Sequence, residues 1–364
     1  MLPTREKAEE LLVEAENCNP GPWGNHSRVA ARCAERIAKA CGDLDPDKAY
    51  IVGLLHDIGR KFGKRHLGHV SDGYSYMMSL GYDEAARICL THSFNTGGLD
   101  GYIGNFDTTK EELELIQNTL QTIVMDEYDR LIQLCDSIAG AEGVMDIEER
   151  MLDVERRYDG SYPRKKWNNN LHLKKHFEEK MGKNLYAAVG KEDLTDIVLL
   201  YDDCCIYEIV ILNYFLKCTG SRLLFCSVDS QTVRAMEGYS INCDIVIDEI
   251  NLSHVRSFII PGGDISNISR QNVFDILKKL NSQRIIIAGI CAGVNVLEQA
   301  GILTGITSTL SSEFDCVRDK NIITARANAY VDFAIEVGKV LDIFEDEADL
   351  QETVDFWKNH KRAD

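Results

Sequence analysis

Apolar residues recur at helical spacing through roughly the first 180 residues of the chain. In the segment 27–41, Val29, Cys33 and Ile37 fall on one helical face, and charged side chains lie largely on the other. The segment 126–141 shows the same periodicity. Amphipathic helices of this kind bury one face against their neighbours, so the pattern predicts an all-helical amino-terminal half.

One predicted helix carries an adjacent histidine and aspartate near its end. Asp45 and Pro46 are typical of a helix start, a capping side chain followed by a first-turn proline, and the apolar run 51–55 continues the helix. His56 and Asp57 therefore fall near the end of that helix. Neighbouring helical residues project about 100° apart, so both reach one metal ion only if it lies at the helix end and other helices complete its shell.

Two further polar residues can complete such a shell. His26 directly precedes the 27–41 helix, and Asp136 lies in the apolar 126–141 segment, where a carboxylate needs a partner. Imidazole and carboxylate ligands suit Zn, Mn, Fe and similar divalent ions. We therefore predict that these two residues and the His-Asp pair bind a divalent metal.

From about residue 194 the chain has short β-branched runs that alternate with helical stretches, and the change begins near Gly190. Helices between such runs indicate a parallel sheet. The polar residues 151–193 are expected to form a basic helical insertion and the connection between the two halves. The predicted strands are 197–200, 223–228, 245–247, 258–260 and 285–290.

The last of these strands turns sharply into a helix at Cys291. The surrounding A-G-I-C-A-G is the pattern of a nucleophile elbow with cysteine as the nucleophile. A thiol at a helix amino terminus meets the positive end of the helix dipole, which favours the reactive thiolate. The backbone N–H groups of Gly263 and Ala292 are expected to receive a developing oxyanion. A buried, structural cysteine is the alternative.

Length, charge and cysteine content limit the function classes. A chain of 364 residues usually divides into two domains. The formal net charge of −18 argues against broad nucleic-acid binding, although a bound metal and a local basic cluster can still attract a small anion. No apolar run is long enough to span a membrane, the first residues are not signal-like, and most of the 12 Cys are expected to be reduced. We expect a cytoplasmic protein without a membrane partner.

Three boxes in the amino-terminal half resemble those of the HD phosphohydrolase superfamily. They are N-H-S-R-V-A, L-L-H-D-I-G-R and L-C-D-S-I-A, which contain His26, the pair His56 and Asp57, and Asp136. The resemblance covers roughly residues 20–145. It implies a metal-dependent enzyme that hydrolyses a phosphate ester or anhydride, with a nucleotide as the expected small phosphorylated substrate.

Two more histidines extend the resemblance. H-V-S-D-G-Y and L-T-H-S resemble the additional boxes of HD members that hold two metals, so His69 and His92 would serve a second ion, with Asp57 as the bridge. The implied cofactor is one or two divalent ions, from among Mn, Fe, Zn, Co and Mg. The other histidines belong to no box and are interpreted as ordinary residues: His66, His172, His176, His254 and His360.

A basic run made of Arg60, Lys61, Lys64 and Arg65 follows the metal pair and is placed to meet phosphate. An ordinary solvated loop is the alternative. Arg60 replaces the lysine of the HDIGK form, and the GYP signature is absent, which makes a cyclic dinucleotide a minor alternative. Arg60 and Asp57 are the predicted catalytic residues of this half.

The carboxyl-terminal half, about residues 194–345, resembles the ThiJ/PfpI family, a class I glutamine-amidotransferase-like group. The resemblance rests on D-I-V-L-L-Y-D-D-C-C-I-Y-E, I-I-P-G-G, A-G-I-C-A-G and N-I-I-T-A-R. It places Glu208 beside Cys291 as the second catalytic candidate and implies a homodimer. Thr309 lies near the point where the family often has a histidine, so no general base is evident. A protonated Glu208 would instead hydrogen-bond the thiolate.

The expected architecture is an all-α HD-type domain over residues 1–185, an α/β flavodoxin-like doubly wound domain over 194–345 and an acidic helical tail over 346–364. The predicted enzyme is the HD-type phosphohydrolase. Two alternatives stay open. One is a cysteine-dependent deglycase-like or amidase-like enzyme with a regulatory HD half, and the other is a sensor of redox state or of a nucleotide.

Overall fold

Helices build the amino-terminal half of the chain, in agreement with its periodicity. The structure is a computed structural model and describes residues 1–158 and 162–362. The helices of this half are α1 (Arg5–Cys18), α2 (Trp23–Cys41), α3 (Pro46–Leu55), α4 (Gly68–Ser79), α5 (Asp83–Thr91), α6 (Lys110–Thr122), α7 (Glu127–Asp136), α8 (Ile147–Tyr158), α9 (Arg164–Met181) and α10 (Leu185–Val189).

Helix starts are capped by the side chains that the sequence places there. The Asp45 carboxylate accepts backbone N–H groups at the start of α3, where Pro46 stands in the first turn. Asp126 caps α7 in the same way. Helix α2 begins at Trp23, four residues before the predicted start at Ser27.

The pair α2 and α3 packs unusually closely. A Cβ atom added to Gly53 of α3 would lie 2.9 Å from the Cα atom of Ala31 in α2, so only glycine fits. Leu12 of α1 and Leu54 of α3 are fully buried in the core on this side of the unit. The close packing lets the residues that follow α3 reach the first turn of α2.

The carboxyl-terminal half alternates strands and helices. Its strands are β1 (Thr195–Leu199), β2 (Arg222–Ser227), β3 (Thr232–Arg234), β4 (Ser240–Asn242), β5 (Ile245–Val246), β6 (Val255–Ile260), β7 (Ile286–Ile290), β8 (Cys316–Asp319) and β9 (Ile322–Ala325). Its helices are α11 (Val210–Cys218), α12 (Gln271–Ser282), α13 (Gly293–Gln299), α14 (Tyr330–Val340) and α15 (Glu347–Trp357).

A seven-stranded sheet has the order β5-β2-β1-β6-β7-β9-β8, and only the β8–β9 pair in it is antiparallel. Without the two edge strands β5 and β8, the order of the remaining strands is 2-1-3-4-5, as in flavodoxin-like folds. The predicted fold class, an all-α domain followed by a doubly wound α/β domain, is confirmed. The buried residues of the sheet, including Phe258 and Ile287, form a single core with those of the helices.

All five strands predicted from apolar runs are present as β1, β2, β5, β6 and β7. The short hairpin of β3 and β4 and the strands β8 and β9 were not predicted. Most residues of β3, β4 and β8 are partly or fully exposed, so these strands lack the continuous apolar runs of buried strands, whereas β9 is buried but short.

The chain separates into two compact units, one of Met1–Met181 with Ala188–Glu192 and one of Gly182–Ala187 with Asp193–Asp364. The predicted domain limits stay predictions. Within the predicted tail, Leu350, Val354 and Trp357 of α15 pack against the core of the second unit. Residues 159–161 of the predicted insertion and 363–364 of the tail lie outside the described residues. Among the helices described, none has the length and apolar character to cross a membrane.

Candidate functional site

Five short segments bring six polar side chains together in the amino-terminal unit. His26 lies in the first turn of α2 rather than before the helix, because α2 begins earlier than the sequence indicates. The other five side chains lie at helix ends or in α4. His56 and Asp57 directly follow α3, His69 belongs to α4, His92 follows α5, and Asp136 ends α7. We call these six residues the candidate metal centre.

One side of the candidate metal centre consists of two histidines and a carboxylate. The Nε2 atoms of His26 and His56 lie 3.2 Å apart. The Asp136 Oδ1 atom lies 3.1 Å from His26 Nε2 and 3.9 Å from His56 Nε2. One ion placed among these atoms could contact all three side chains.

The other side is arranged around Asp57. Its Oδ1 atom lies 3.1 Å from His69 Nε2 and 3.5 Å from His92 Nε2, and the two ring nitrogens are 3.4 Å apart. The ligand atoms fall into two groups compatible with a metal ion, His26 with His56 and Asp57, and Asp57 with His69 and His92. Asp57 is common to both groups, and its role as a bridge between two ions stays a prediction.

Backbone carbonyls fix the orientation of all four imidazoles. Each Nδ1 atom lies at hydrogen-bond distance from a carbonyl oxygen, which can only accept, so the proton of a neutral ring is on Nδ1 and Nε2 keeps its lone pair. The partners are Ala139 O for His26 (3.0 Å), Gly53 O for His56 (2.7 Å), His66 O for His69 and Cys89 O for His92 (2.9 Å).

This arrangement fits a divalent cation. Two unprotonated Nε2 atoms only 3.2 Å apart, as in His26 and His56, repel each other unless a cation lies near both. The buried Asp57 Oδ1 atom accepts no hydrogen bond from any residue in the described part of the chain. Imidazole nitrogen and carboxylate oxygen are the donors that Mn, Fe, Co and Zn accept.

Local electrostatics keeps these groups in their ligand forms. Burial lowers the pKa of His56, and it lowers the pKa of His92 to about 3, so both rings are neutral at pH 7. Burial would raise the pKa of Asp57, but the charge of the Arg60 guanidinium acts in the opposite direction and holds that pKa well below its ordinary value. Neutral imidazole and ionised carboxylate are the states that a metal requires.

The residues of the basic run that follows His56 and Asp57 make different contacts. Arg60 Nε donates to Asp57 Oδ2 at 2.5 Å, so Arg60 fixes the second oxygen of this carboxylate. Lys61 lies over the Tyr76 ring, and Arg65 forms ion pairs with carboxylates of α4 and α6. Of the four residues in the run, Arg60, Lys64 and Arg65 line a cavity at the candidate metal centre.

This cavity has a volume of about 480 Å³, within the range of small-molecule sites. Trp23, Tyr102, Tyr158 and Tyr162 contribute aromatic rings to its wall. The ionised side chains that line it are basic in the majority, although the whole chain is acidic. They are Arg60, Lys64, Arg65, Arg150, Arg157 and Lys166, against Asp57, Asp136 and Asp153.

Sequence reasoning did not single out the cavity residues of α8 and α9. Helix α8 lines the cavity with Arg150, Asp153, Val154 and Arg157, which share one helical face. Lys166 of α9 lines it as well, and burial lowers its pKa to about 8 although the Asp136 charge acts in the opposite direction. The only signal in the sequence was the basic composition of residues 151–193, which does not indicate the inward face.

The carboxyl-terminal unit has the predicted sharp turn at Cys291, between β7 and α13. Cys291 has a φ angle of 56°, a left-handed conformation that is rare and strained for a side chain other than glycine. Gly262 makes this turn possible, because an added Cβ atom would lie 2.9 Å from the Cys291 sulfur and 2.7 Å from the Glu208 Oε2 atom. Glu208 accepts the Gly262 N–H at 2.6 Å and hydrogen-bonds the Cys291 thiol.

The expected thiolate at Cys291 is not favoured. Burial raises the pKa of Cys291, and the adjacent Glu208 carboxylate raises it further, against the smaller effect of the Ala292 N–H. The helix dipole acts in the opposite direction, and the reactivity of Cys291 stays a prediction. Burial also raises the pKa of Glu208.

Of the two predicted oxyanion donors, Ala292 belongs to this turn and Gly263 follows β6. The Ala292 N–H faces the Cys291 sulfur. The Gly263 N–H donates to no acceptor within residues 1–158 and 162–362, and Gly263 has a φ angle of 129° that suits only glycine. Thr309 is buried, and its backbone N–H donates to Thr324 Oγ1 at 3.0 Å.

Comparison with known families agrees with both halves of this description. The model of the HD domain matches residues 23–141, and the model of the DJ-1/PfpI family matches residues 197–339. The chain joins an HD domain to a DJ-1/PfpI domain. The predicted membership of these two families is confirmed, and HD domains in general support metal-dependent phosphohydrolysis.

Curated relatives match the DJ-1/PfpI domain. The uncharacterized protease YoaZ of Bacillus subtilis is 30% identical, with 38% of this chain and 77% of the relative covered. Deglycase PYRAB04690 of Pyrococcus abyssi is 30% identical over 104 residues, and Deglycase PfpI of Pyrococcus furiosus is 28% identical. The chain spans 63% of the length of these archaeal deglycases, which cover 28% of it.

Solved structures resemble the same domain. The DJ-1 superfamily protein Atu0886 from Agrobacterium tumefaciens has 22% sequence identity and a TM-score of 0.42, with 46% of this chain and all of that chain covered. A thiJ/pfpI family protein from Bacillus anthracis has 23% identity and a TM-score of 0.42, with 47% and 94% covered.

Proposed function

We propose that the HD domain hydrolyses a small phosphate ester or anhydride, with a nucleotide as the expected substrate, and that one or two divalent ions act as cofactor. The observation that carries this proposal is the pair of ligand groups that share Asp57. Four imidazoles with inward Nε2 lone pairs and two carboxylates make a strong site for divalent ions.

Divalent ions at such a site supply Lewis acidity and a water of lowered pKa. The side chains of this domain hold the ligand atoms in place. Arg60 holds the Asp57 carboxylate by Oδ2 and leaves Oδ1 directed toward His69 and His92. The Arg60 guanidinium also lines the cavity, where its charge can stabilise the leaving group of a phosphoester.

The cavity supports a nucleotide as substrate. A volume of about 480 Å³ accommodates a small ligand, and the basic lining attracts phosphate in spite of the net charge of −18. Aromatic rings of residues such as Trp23 and Tyr158 offer apolar surface for a base.

The test is elemental analysis of the purified full-length protein, combined with a phosphatase screen in Mn, Fe, Co and Mg. The substrates are mononucleotides and dinucleoside polyphosphates. We expect close to two metals per chain and turnover that a chelator abolishes. A protein that holds no metal and hydrolyses none of these substrates would contradict the proposal.

A second candidate function belongs to the DJ-1/PfpI domain, and the strained Cys291 beside Glu208 favours it. In this reading Cys291 is the nucleophile of an enzyme related to the deglycases that match the domain. Such an activity would persist in chelator and fail after alkylation of Cys291. The phosphohydrolase would show the opposite response to the two reagents.

A further inference from the structure

Lys166 is a basic residue of the cavity whose ammonium group forms no ion pair with an acidic side chain in the described residues. Its Nζ donates to the backbone oxygen of Ser93 at 2.8 Å, and it forms no ion pair with any carboxylate of residues 1–158 and 162–362. Lys64 also lacks an ion pair in these residues, but it is exposed to solvent. The other basic residues of the cavity pair with Asp or Glu, as Arg60 does with Asp57, Arg65 with Asp72 and Glu112, and Arg150 and Arg157 with Asp153.

A frame of amide side chains fixes the position of Lys166. Asn95 donates to the backbone oxygen of Lys166 at 3.2 Å and to Asn170 Oδ1 at 2.6 Å, and Asn169 donates to Asn95 O at 2.9 Å. These bonds join α9 to the segment that directly follows His92. The backbone at Lys166 is therefore held beside the segment that follows His92, and the Ser93 carbonyl holds the ammonium at the end of the side chain.

An ammonium group has three N–H donors, and one of them is used by Ser93. A buried ammonium group without a direct ion pair is costly, and an anionic ligand that pairs with it reduces this cost. The same anion would lie close to the candidate metal centre, because Lys166 lines the same cavity as Asp57 and Asp136.

We propose that Lys166 binds a phosphoryl oxygen of the substrate, and of released phosphate, beside the candidate metal centre. This inference rests on the proposed phosphohydrolase function. It assigns substrate binding to a residue outside the HD boxes, on the helix α9 that follows them. Lys166 thereby selects for a charged phosphoryl group over a neutral ester of similar shape.

The test uses inorganic phosphate as the probe, titrated calorimetrically into the full-length, metal-loaded protein. We expect Lys166→Met to weaken phosphate binding about ten- to a hundredfold, the usual effect of losing a charged hydrogen bond, and Lys166→Arg to restore part of it. Lys165→Met is the matched control, because Lys165 is 60% exposed and pairs with Asp100 outside the cavity. This control should bind phosphate like the wild type.

Metal content measured on the same samples separates binding from support of the fold. Equal metal content in wild type and Lys166→Met, together with weaker phosphate binding, supports the proposal. Loss of metal from Lys166→Met would give Lys166 a structural role and overturn it. Unchanged phosphate affinity in Lys166→Met, or no phosphate binding by the wild type, would also overturn it.

Turnover distinguishes this inference from the function on which it rests. With a substrate from the phosphatase screen, Lys166→Met should raise KM more than it lowers kcat. Turnover by the wild type with unchanged KM in Lys166→Met would overturn only the role of Lys166. Phosphate binding that depends on Lys166 in a protein without turnover would support the anion site and contradict the phosphohydrolase.

Discussion

Asp57 is the side chain on which both ligand groups of the HD domain depend. Its Oδ1 atom faces His69 and His92, and its Oδ2 atom is fixed by Arg60. A buried carboxylate with one oxygen lacking any donor within the described residues is costly without a cation. The ionised state of Asp57 and its place in both ligand groups agree with the proposed binding of divalent ions.

Replacement of Asp57 tests this explanation. Asp57→Ala should remove the metal and reduce phosphatase turnover by about ten-thousandfold or more, because it deletes the ligand common to both groups. Elemental analysis and turnover are the measurements. His66→Ala serves as a control for metal content, since His66 lines the cavity but belongs to neither group. Full metal content in Asp57→Ala would refute the bridging role.

At Cys291 the reactivity depends on one neighbouring carboxyl group. Glu208 accepts the Gly262 N–H and contacts the thiol, and its charge raises the pKa of Cys291 in addition to burial. The carboxyl group and the thiol are in contact, so the protonation of either one changes the pKa of the other.

Glu208→Gln should lower the pKa of Cys291, because it removes the negative charge and keeps an oxygen for the Gly262 N–H. The alkylation rate at neutral pH should rise severalfold, and the pH profile of the rate should move to lower pH. Mass spectrometry of the labelled peptide would identify Cys291 as the site, with Cys291→Ser as the blank. A slower reaction or an unchanged profile would contradict this electrostatic effect.

The elements of the HD domain position the ligands by close backbone contact. The turn after α3 passes so near α4 that a Cβ atom at Gly59 would lie 2.0 Å from His69 O and 2.5 Å from Gly73 N. Both contacts are with backbone, which cannot move aside as the end of a flexible side chain does. This contact sets the spacing between Asp57, two positions before Gly59, and His69, whose backbone oxygen is one of the contacted atoms.

Gly59→Ala should therefore push the turn away from α4. We expect a loss of about 1–3 kcal/mol in the free energy of unfolding and a reduced metal content. Gly42→Ala is the comparison, because Gly42 has a φ angle of 78° and no atom within 4 Å of an added Cβ. Gly42→Ala should lower the free energy of unfolding by about 1–2 kcal/mol through backbone strain alone, and the variant should keep its metal. Urea unfolding and elemental analysis measure both, and equal metal content in the two variants would exclude the steric effect.

At the scale of the whole molecule, each unit has its own core and its own candidate site. The candidate metal centre and its cavity are built from residues of the first unit only. Cys291, Glu208 and Gly262 belong to the second unit, as does the sheet that supports them. A homodimer stays a prediction, which light scattering of the purified protein can test.

Cys291→Ser should leave metal content and phosphohydrolysis within about twofold of the wild type, because sites without shared partners behave additively. The measurement is kcat/KM for a substrate found in the phosphatase screen. A large loss would instead indicate coupling between the two domains. The reciprocal variant, Asp57→Ala, should keep the alkylation rate of Cys291.

The sequence by itself determined the fold class, the ligand types and the turn at Cys291. Helical periodicity, apolar strand runs and short boxes such as His56-Asp57 are local features, so neighbouring residues carry the whole signal. The sequence also indicated that Glu208 lies beside Cys291, although only through a family resemblance.

The tertiary structure alone decided which charges meet. Arg65 pairs with Glu112 across 47 residues of chain, and Lys166 approaches Ser93 across 73 residues. The direction of the pKa shift of Cys291 was likewise set by burial and a carboxylate from a distant loop. Such contacts join segments far apart in sequence, and electrostatic energies depend on distance and burial, which no local pattern contains.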